Sequence, residues 1–351
     1  MRRGHSQLAT TLCCAIALLL SSSAIAAELD TTAIIARLGP GSGPQWSPSG
    51  RLISLYDKEY LQVVRSDGTG RRFRIVRSEQ FATMKHIWET DTTIVVAIME
   101  DRDSEYVLFA RVAFDALSND AHDSTSTVAD IQRIGAMTFP SSGRRQLPQL
   151  IRFPDGTVAY RKGAHAEPTD RSRGTLSTAI RNLPVAQIIK DTCFPYGGYV
   201  GLGRIGDAAA ALRQITFDNC YFTVTMSPTY DRFAADWYGG VGFAIYDTTG
   251  ALLNGQFETE SEKPSSGGAE YAYQVAWSPD GRHLAVVRAV EDGHDVTSWR
   301  IIITDVAEST RREVVRQSDN LPTLPMWSPD GRLIAMSLAG NGIVIIRVLP
   351  L

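Results

Sequence analysis

Four carboxylates in close succession, Glu100, Asp101, Asp103 and Glu105, form the densest set of potential ligands in the chain. Clustered oxygen donors of this kind gather a hard cation such as calcium. The glycine that an EF-hand loop needs at its sixth position is missing, because that place counted from Asp101 holds Tyr106. A solvated hairpin tip is the competing reading. Other chemistries leave fewer traces. The six histidines, at 5, 86, 122, 165, 283 and 294, include no His-x-His and no His-Glu-x-x-His, so no histidine zinc site is written here. There is no Cys-x-x-Cys, and no Gly-x-Ser-x-Gly elbow of an α/β-type serine hydrolase. The stretch Gly197 to Gly206 lacks the Lys-Ser/Thr ending of a phosphate loop and reads as part of a long irregular insertion. His283 reads as a strand surface position. No catalytic residue and no organic cofactor is expected, and calcium at the acidic cluster is the one metal left open.

The elements that must carry these residues announce themselves as repeats. Trp46-Ser47-Pro48-Ser49-Gly50-Arg51 returns as Trp277-Ser278-Pro279-Asp280-Gly281-Arg282 and again as Trp327-Ser328-Pro329-Asp330-Gly331-Arg332. Weaker copies begin at Phe153 and Met226, and a degenerate sixth begins at Trp88. Each copy describes an apolar strand, a tight turn made by Pro and Asp-Gly, and a returning aliphatic strand. A second strand signal follows at a similar distance, in Leu61-Gln-Val-Val, Phe243-Ala-Ile-Tyr and Ile301-Ile-Ile-Thr. The period fits one four-stranded antiparallel meander per repeat. Such a unit buries its faces only against its neighbours, so the copies must stack in a ring.

The Trp-Ser-Pro-Asp-Gly-Arg run followed by an aliphatic strand resembles the WD40-like propeller repeat of the TolB type, found in exported bacterial proteins. The resemblance covers most of residues 40 to 351 and implies an all-β fold, a single β-propeller, here of six four-stranded blades. The last repeat ends one strand short, with strands near Leu333–Ser337 and Ile343–Val348. The segment Thr32–Leu38 is expected to supply the missing strand and close the ring; a short N-terminal helix is the alternative. The first repeat starts soon after residue 26, which leaves no room for the separate N-terminal domain of TolB.

Compartment follows from the N-terminus. Arg2 and Arg3, an apolar run through Leu12 to Leu20 and Ala24-Ile-Ala26 make the pattern of a secretory leader over residues 1–26, ahead of a propeller domain over 27–351. A periplasmic or secreted location is expected, with no membrane span in the mature chain. In an oxidising compartment the remaining pair, Cys193 and Cys220, invites a disulfide that closes a loop worth roughly 3 kcal/mol on the chain-entropy model.

Composition sets the last bounds. The 351 residues are 44% hydrophobic and 21% charged, which suits a folded core, and the net charge of −3 lacks the basic footprint of nucleic-acid binding. In an up-and-down meander, turns between second and third strands share one rim with the interblade links. Those turns hold Asp57 and Glu59, Glu100 to Glu105, and Glu291, Asp292 and Asp295; one link adds Glu258, Glu260, Glu262 and Glu270. The opposite rim receives Arg51, Arg71, Arg72, Arg282, Arg311, Arg312 and Arg332. A disc with one acidic and one basic face is the expectation. The function expected is therefore an exported, non-catalytic propeller, a monomer, that binds a protein or peptide through its acidic rim. The alternative is a stand-alone relative of the substrate-gating propeller of prolyl-oligopeptidase-type peptidases, including lasso-peptide isopeptidases. A lyase or hydrolase with loop-borne catalytic residues is a third reading.

Overall fold

Alternating aliphatic segments separated by turn residues fold into seven antiparallel sheets. The computed structural model describes residues 34–348 apart from 58–59, 70–71, 78–82, 102–103, 114–130, 139–146, 163–164, 190–197, 208–210, 216–220, 238–241, 258–268, 292–295, 309, 318–321 and 339–341. The first blade contains β2 (Ser42–Trp46), β3 (Leu52–Tyr56), β4 (Tyr60–Arg65) and β5 (Phe73–Arg77). The second contains β6 (Thr83–Thr90), β7 (Thr93–Met99), β8 (Tyr106–Ala113) and β9 (Ile131–Thr138). Among the described residues blades three and four have three strands each: β10 (Gln149–Arg152), β11 (Val158–Lys162) and β12 (His165–Pro168), then β13 (Pro184–Ile189), β14 (Tyr199–Arg204) and β15 (Arg213–Gln214). The fifth runs through β16 (Tyr221–Met226), β17 (Arg232–Trp237), β18 (Gly242–Asp247) and β19 (Leu252–Phe257). The sixth comprises β20 (Ala269–Trp277), β21 (His283–Glu291), β22 (Val296–Asp305) and β23 (Arg311–Gln317).

The seventh blade joins both ends of the chain. Its β24 (Met326–Trp327), β25 (Leu333–Leu338) and β26 (Gly342–Arg347) are completed by β1 (Ile34–Gly39), which pairs antiparallel with β26 from Ile34↔Ile346 to Gly39↔Ile343. The closing strand expected from Thr32–Leu38 is in place.

The count of blades is corrected from six to seven. The extra blade is the fourth, and its β14 lies within the stretch Gly197 to Gly206, read above as irregular insertion. Its glycines do not mark a loop. Gly201 and Gly203 fall on one face of β14, where a Cβ would collide with Ile189 and Leu212 respectively, while Val200 and Leu202 are buried on the other. No Pro-Asp-Gly turn connects β13 to β14, so a search keyed to that turn passes over the blade.

The repeat motif explains how blades hold one another. Each tryptophan donates its indole N–H to the inner strand of the preceding blade: Trp46 to Met326 O at 2.8 Å, Trp88 to Gln45 O at 3.0 Å, Trp277 to Thr225 O at 3.0 Å and Trp327 to Ala276 O at 3.0 Å. In every case the acceptor immediately precedes the residue equivalent to the tryptophan. Ser278 Oγ donates to Asp280 Oδ1 at 2.6 Å and accepts from the His283 N–H at 2.8 Å; Ser328, Asp330 and Leu333 repeat this at 2.6 and 2.9 Å. Gly50, Gly281 and Gly331 take φ of +75°, +68° and +70°, which only glycine adopts without strain. These turns also lie in series: a Cβ added at Gly50 would meet Pro329, one at Gly331 would meet Pro279 and one at Gly281 would meet Thr229. The core is a series of clusters between adjacent blades rather than one centre. One of them unites Trp299, Ile301 and Ile303 with Trp327, Ile334 and Met336.

Candidate functional site

Residue Glu89 occupies the position after the blade's tryptophan, where the clear repeats place serine. It is only 7% exposed, a burial that a carboxylate tolerates only with partners. Arg111 on β8 supplies them, with Nε 2.7 Å from Glu89 Oε2 and Nη2 3.1 Å from Oε1. The same Nη2 lies 2.9 Å from Oδ2 of Asp170, itself 6% exposed. Arg173, in the 3-10 turn Arg171–Arg173, adds Nη1 at 2.9 Å from Glu89 Oε1 and Nε at 3.4 Å from Asp170 Oδ2. Burial pushes the Asp170 carboxyl up, but hydrogen bonds from Ser172 and Arg111 outweigh it and hold it below the usual carboxylate range. This four-membered network borders an open depression of about 160 Å³ lined by Asp155, Thr157, Thr169, Asp170, Arg173 and Ser177. Ser177 caps the four-residue helix α1 (Thr178–Arg181). The site therefore sits on the rim of the Trp-Ser-Pro-Asp-Gly turns, around the junction of blades two, three and four.

The expected acidic residues lie elsewhere. Glu100, Asp101 and Glu105 lie in the turn between β7 and β8, where Asp101 Oδ1 accepts from Ser104 Oγ at 3.1 Å. Glu291 ends β21. Asp103, Asp292 and Asp295 fall outside the described residues, as do Cys193, Cys220 and the leader. Among the described residues no group of three or more His, Cys, Asp or Glu could hold a metal ion, and no helix is long and apolar enough to cross a membrane. His283 begins β21, partly exposed, with Nε2 3.6 Å from Asp305 Oδ2.

Motif reading missed one serine–histidine contact. His86 on β6 stands between blades one and two, 3% exposed, with Nε2 2.7 Å from Ser54 Oγ and Nδ1 2.7 Å from the Tyr56 hydroxyl. Ser54 Oγ also donates to Gln45 O at 3.3 Å. One tautomer satisfies all three contacts: Tyr56 O–H donates to Nδ1, and Nε2–H donates to Ser54. Ser54 is fully buried, so the pair has no substrate to meet and serves as an interblade tie. Burial lowers the His86 pKa from the ordinary 6.5 to about 3. The unfolded chain then takes up this proton before the folded one does. Stability is expected to be intact above pH 6.5 and to fall by up to about 1.4 kcal/mol per pH unit as pH drops toward 3. Urea unfolding of wild type and His86→Gln across that range measures the difference, and the variant should lack this component of the slope.

These features define a seven-bladed β-propeller built on Trp-Ser-Pro-Asp-Gly repeats. Neither a protein-family model nor a curated protein matches the chain. Solved structures similar to it include a chain of the mitotic checkpoint complex, 15% identical with a TM-score of 0.51, over 91% of this chain and 90% of that one. Hsv2 of Kluyvelomyces marxianus is 11% identical with a TM-score of 0.50, over 89% and 98% of the two chains. The TolB-type protein of Agrobacterium tumefaciens is 12% identical with a TM-score of 0.41, over 89% and 91%. At such identities the likeness concerns the fold.

Proposed function

We propose that the chain is an exported, non-catalytic propeller that binds a protein or peptide through its acidic rim. The observation that supports this reading is the alternation of strands in the first, second and sixth blades. In each, the turn from the second to the third strand lies at the end of the sheet opposite the first turn. The carboxylates of Asp57, Glu100, Asp101 and Glu105 thereby fall on one rim, and Arg51 and Arg282 on the other. Clustered like charges in converging loops attract a partner of opposite sign. A basic protein or peptide is the occupant of that face. The leader over residues 1–26 and a bridge between Cys193 and Cys220 belong to the same proposal, since both suit an oxidising compartment.

The test begins with capture of partners by the purified protein from envelope extract, identified by mass. Affinity for the captured partner is expected to fall with rising salt. Neutralising Glu100, Asp101, Asp103 and Glu105 together should weaken binding, while Arg51→Gln and Arg332→Gln should leave it unchanged. Equal losses from both sets would overturn the acidic-rim reading.

A further inference from the structure

The depression beside Glu89 lies on the rim of the first turns, opposite the acidic loops, and has no part in binding through them. It forms where blade three departs from the regular repeat. Asp155 and Thr157, from the first turn of that blade, supply part of its lining, and Asp155 Oδ1 accepts the Thr157 N–H at 2.9 Å. After β12 the chain does not go straight to β13. Residues 169–183 hold the 3-10 turn and α1, and from them Asp170, Arg173, Thr175 and Ser177 continue the polar lining.

Its charges cancel within the protein. Glu89 and Asp170 are matched by Arg111 and Arg173, at N–O separations between 2.7 and 3.4 Å. Asp155 has a third guanidinium beside its turn. Arg152 donates from Nε to Glu89 O at 3.1 Å, and a Cβ added at Gly156 would meet its Nη2 at 3.8 Å. What is left for a ligand is hydrogen bonding. Thr157 is half-buried, and Asp155, Arg173, Thr175 and Ser177 are exposed. The ion pairs of Arg173 run through Nη1 and Nε, which leaves its Nη2 outside them. A hydroxyl both donates and accepts, a guanidinium only donates, and a carboxylate only accepts. Val158, Pro168 and Leu176 add apolar surface to the same lining.

We infer that this depression binds one neutral sugar ring, whose hydroxyls pair with Asp155, Arg173 and the two exposed threonines while its C–H groups meet the apolar lining. A charged ligand would upset a balance of three carboxylates against three guanidinium groups, and it would be desolvated without a counter-charge. A purely apolar ligand would cover polar groups without replacing their hydrogen bonds to water. A sugar ring meets both demands, because it is uncharged and alternates hydroxyl groups with C–H. Size agrees. A volume of about 160 Å³ holds about five waters at roughly 30 Å³ each, which is space for a single ring and not for a chain. The inference holds whether or not the acidic rim takes a basic partner.

The test is saturation-transfer NMR of the purified protein with glucose, galactose, mannose and N-acetylglucosamine. At least one of these sugars should show transfer, with an affinity of about millimolar. That affinity should not change between low and physiological salt, because the ligand carries no charge. Acetyl-alanine amide, neutral but without hydroxyls, should show no transfer. Thr157→Val and Thr175→Val should each weaken binding by roughly three- to tenfold, and Asp155→Asn by about tenfold. In Asp155→Asn the side-chain oxygen still accepts the Thr157 N–H, so this variant decides the matter should a threonine variant disturb the turn. A disaccharide of the sugar that binds separates two sources: equal or tighter binding marks the end unit of a glycan, and rejection marks a free monosaccharide. No transfer to any of the sugars at about ten millimolar, equal transfer to acetyl-alanine amide, an affinity that falls with salt, or wild-type binding by Asp155→Asn would overturn the assignment.

Discussion

Truncating Trp88 to alanine is expected to cost about 3–5 kcal/mol of unfolding free energy. The side chain is 2% exposed and fills the cluster between blades one and two, with Leu61, Val63, Ile94 and Val96 around it. Its indole N–H also ties this blade to Gln45 of the one before, at 3.0 Å. Trp88→Phe separates the two contributions. It keeps most of the apolar contact and abandons the Gln45 carbonyl, so its cost should be nearer 1–3 kcal/mol, the penalty for a buried polar group left unpaired. Urea unfolding at neutral pH measures both. A loss in Trp88→Phe as large as in Trp88→Ala would mean that the hydrogen bond rather than the packing carries the junction.

Removing the arginine from the rim network should be comparably damaging. Arg111→Met leaves Glu89 and Asp170 buried side by side, with the half-exposed Arg173 as the remaining ion-pair partner among the described residues. Breaking one partner out of a buried ionic set typically costs about 3–5 kcal/mol, because the remaining charges stay desolvated. Replacing Glu89, Arg111 and Asp170 together by apolar residues of similar size should recover most of that loss. The comparison by denaturant unfolding distinguishes a network that confers stability from one retained for its position beside the depression. If the triple variant is as unstable as Arg111→Met, the network is itself a source of stability.

Much of this was legible in the chain. The tryptophans at 46, 277 and 327 with their Ser-Pro-Asp-Gly turns announced the propeller, and the apolar segment before the first repeat announced its closure. The turn residues are conspicuous because each answers a local demand: serine and aspartate for backbone donors, glycine for positive φ. The fourth blade answers different demands. Its glycines make room for Ile189 and Leu212, a tertiary requirement with no local signature. The rim site was half visible. Glu89 in a serine position is a sequence-level oddity, but its partners Arg111, Asp170 and Arg173 come together only when two blades stack.

The pairing of β1 with β26 also governs when the molecule can finish folding. A chain made from its N-terminus presents β1 first and its partner last, with Ile34 waiting for Ile346. The first six blades can stack in order as they emerge, each gaining a neighbour, while the seventh stays incomplete. Contacts of such long sequence separation form late, because the entropy of bringing the ends together is spent before the pairing repays it. An arc of blades with an open end is thus the species expected until β26 has been made. Its last interface is exposed throughout that interval, and it is there that a chaperone, or another copy of the same chain, would find an unfinished edge.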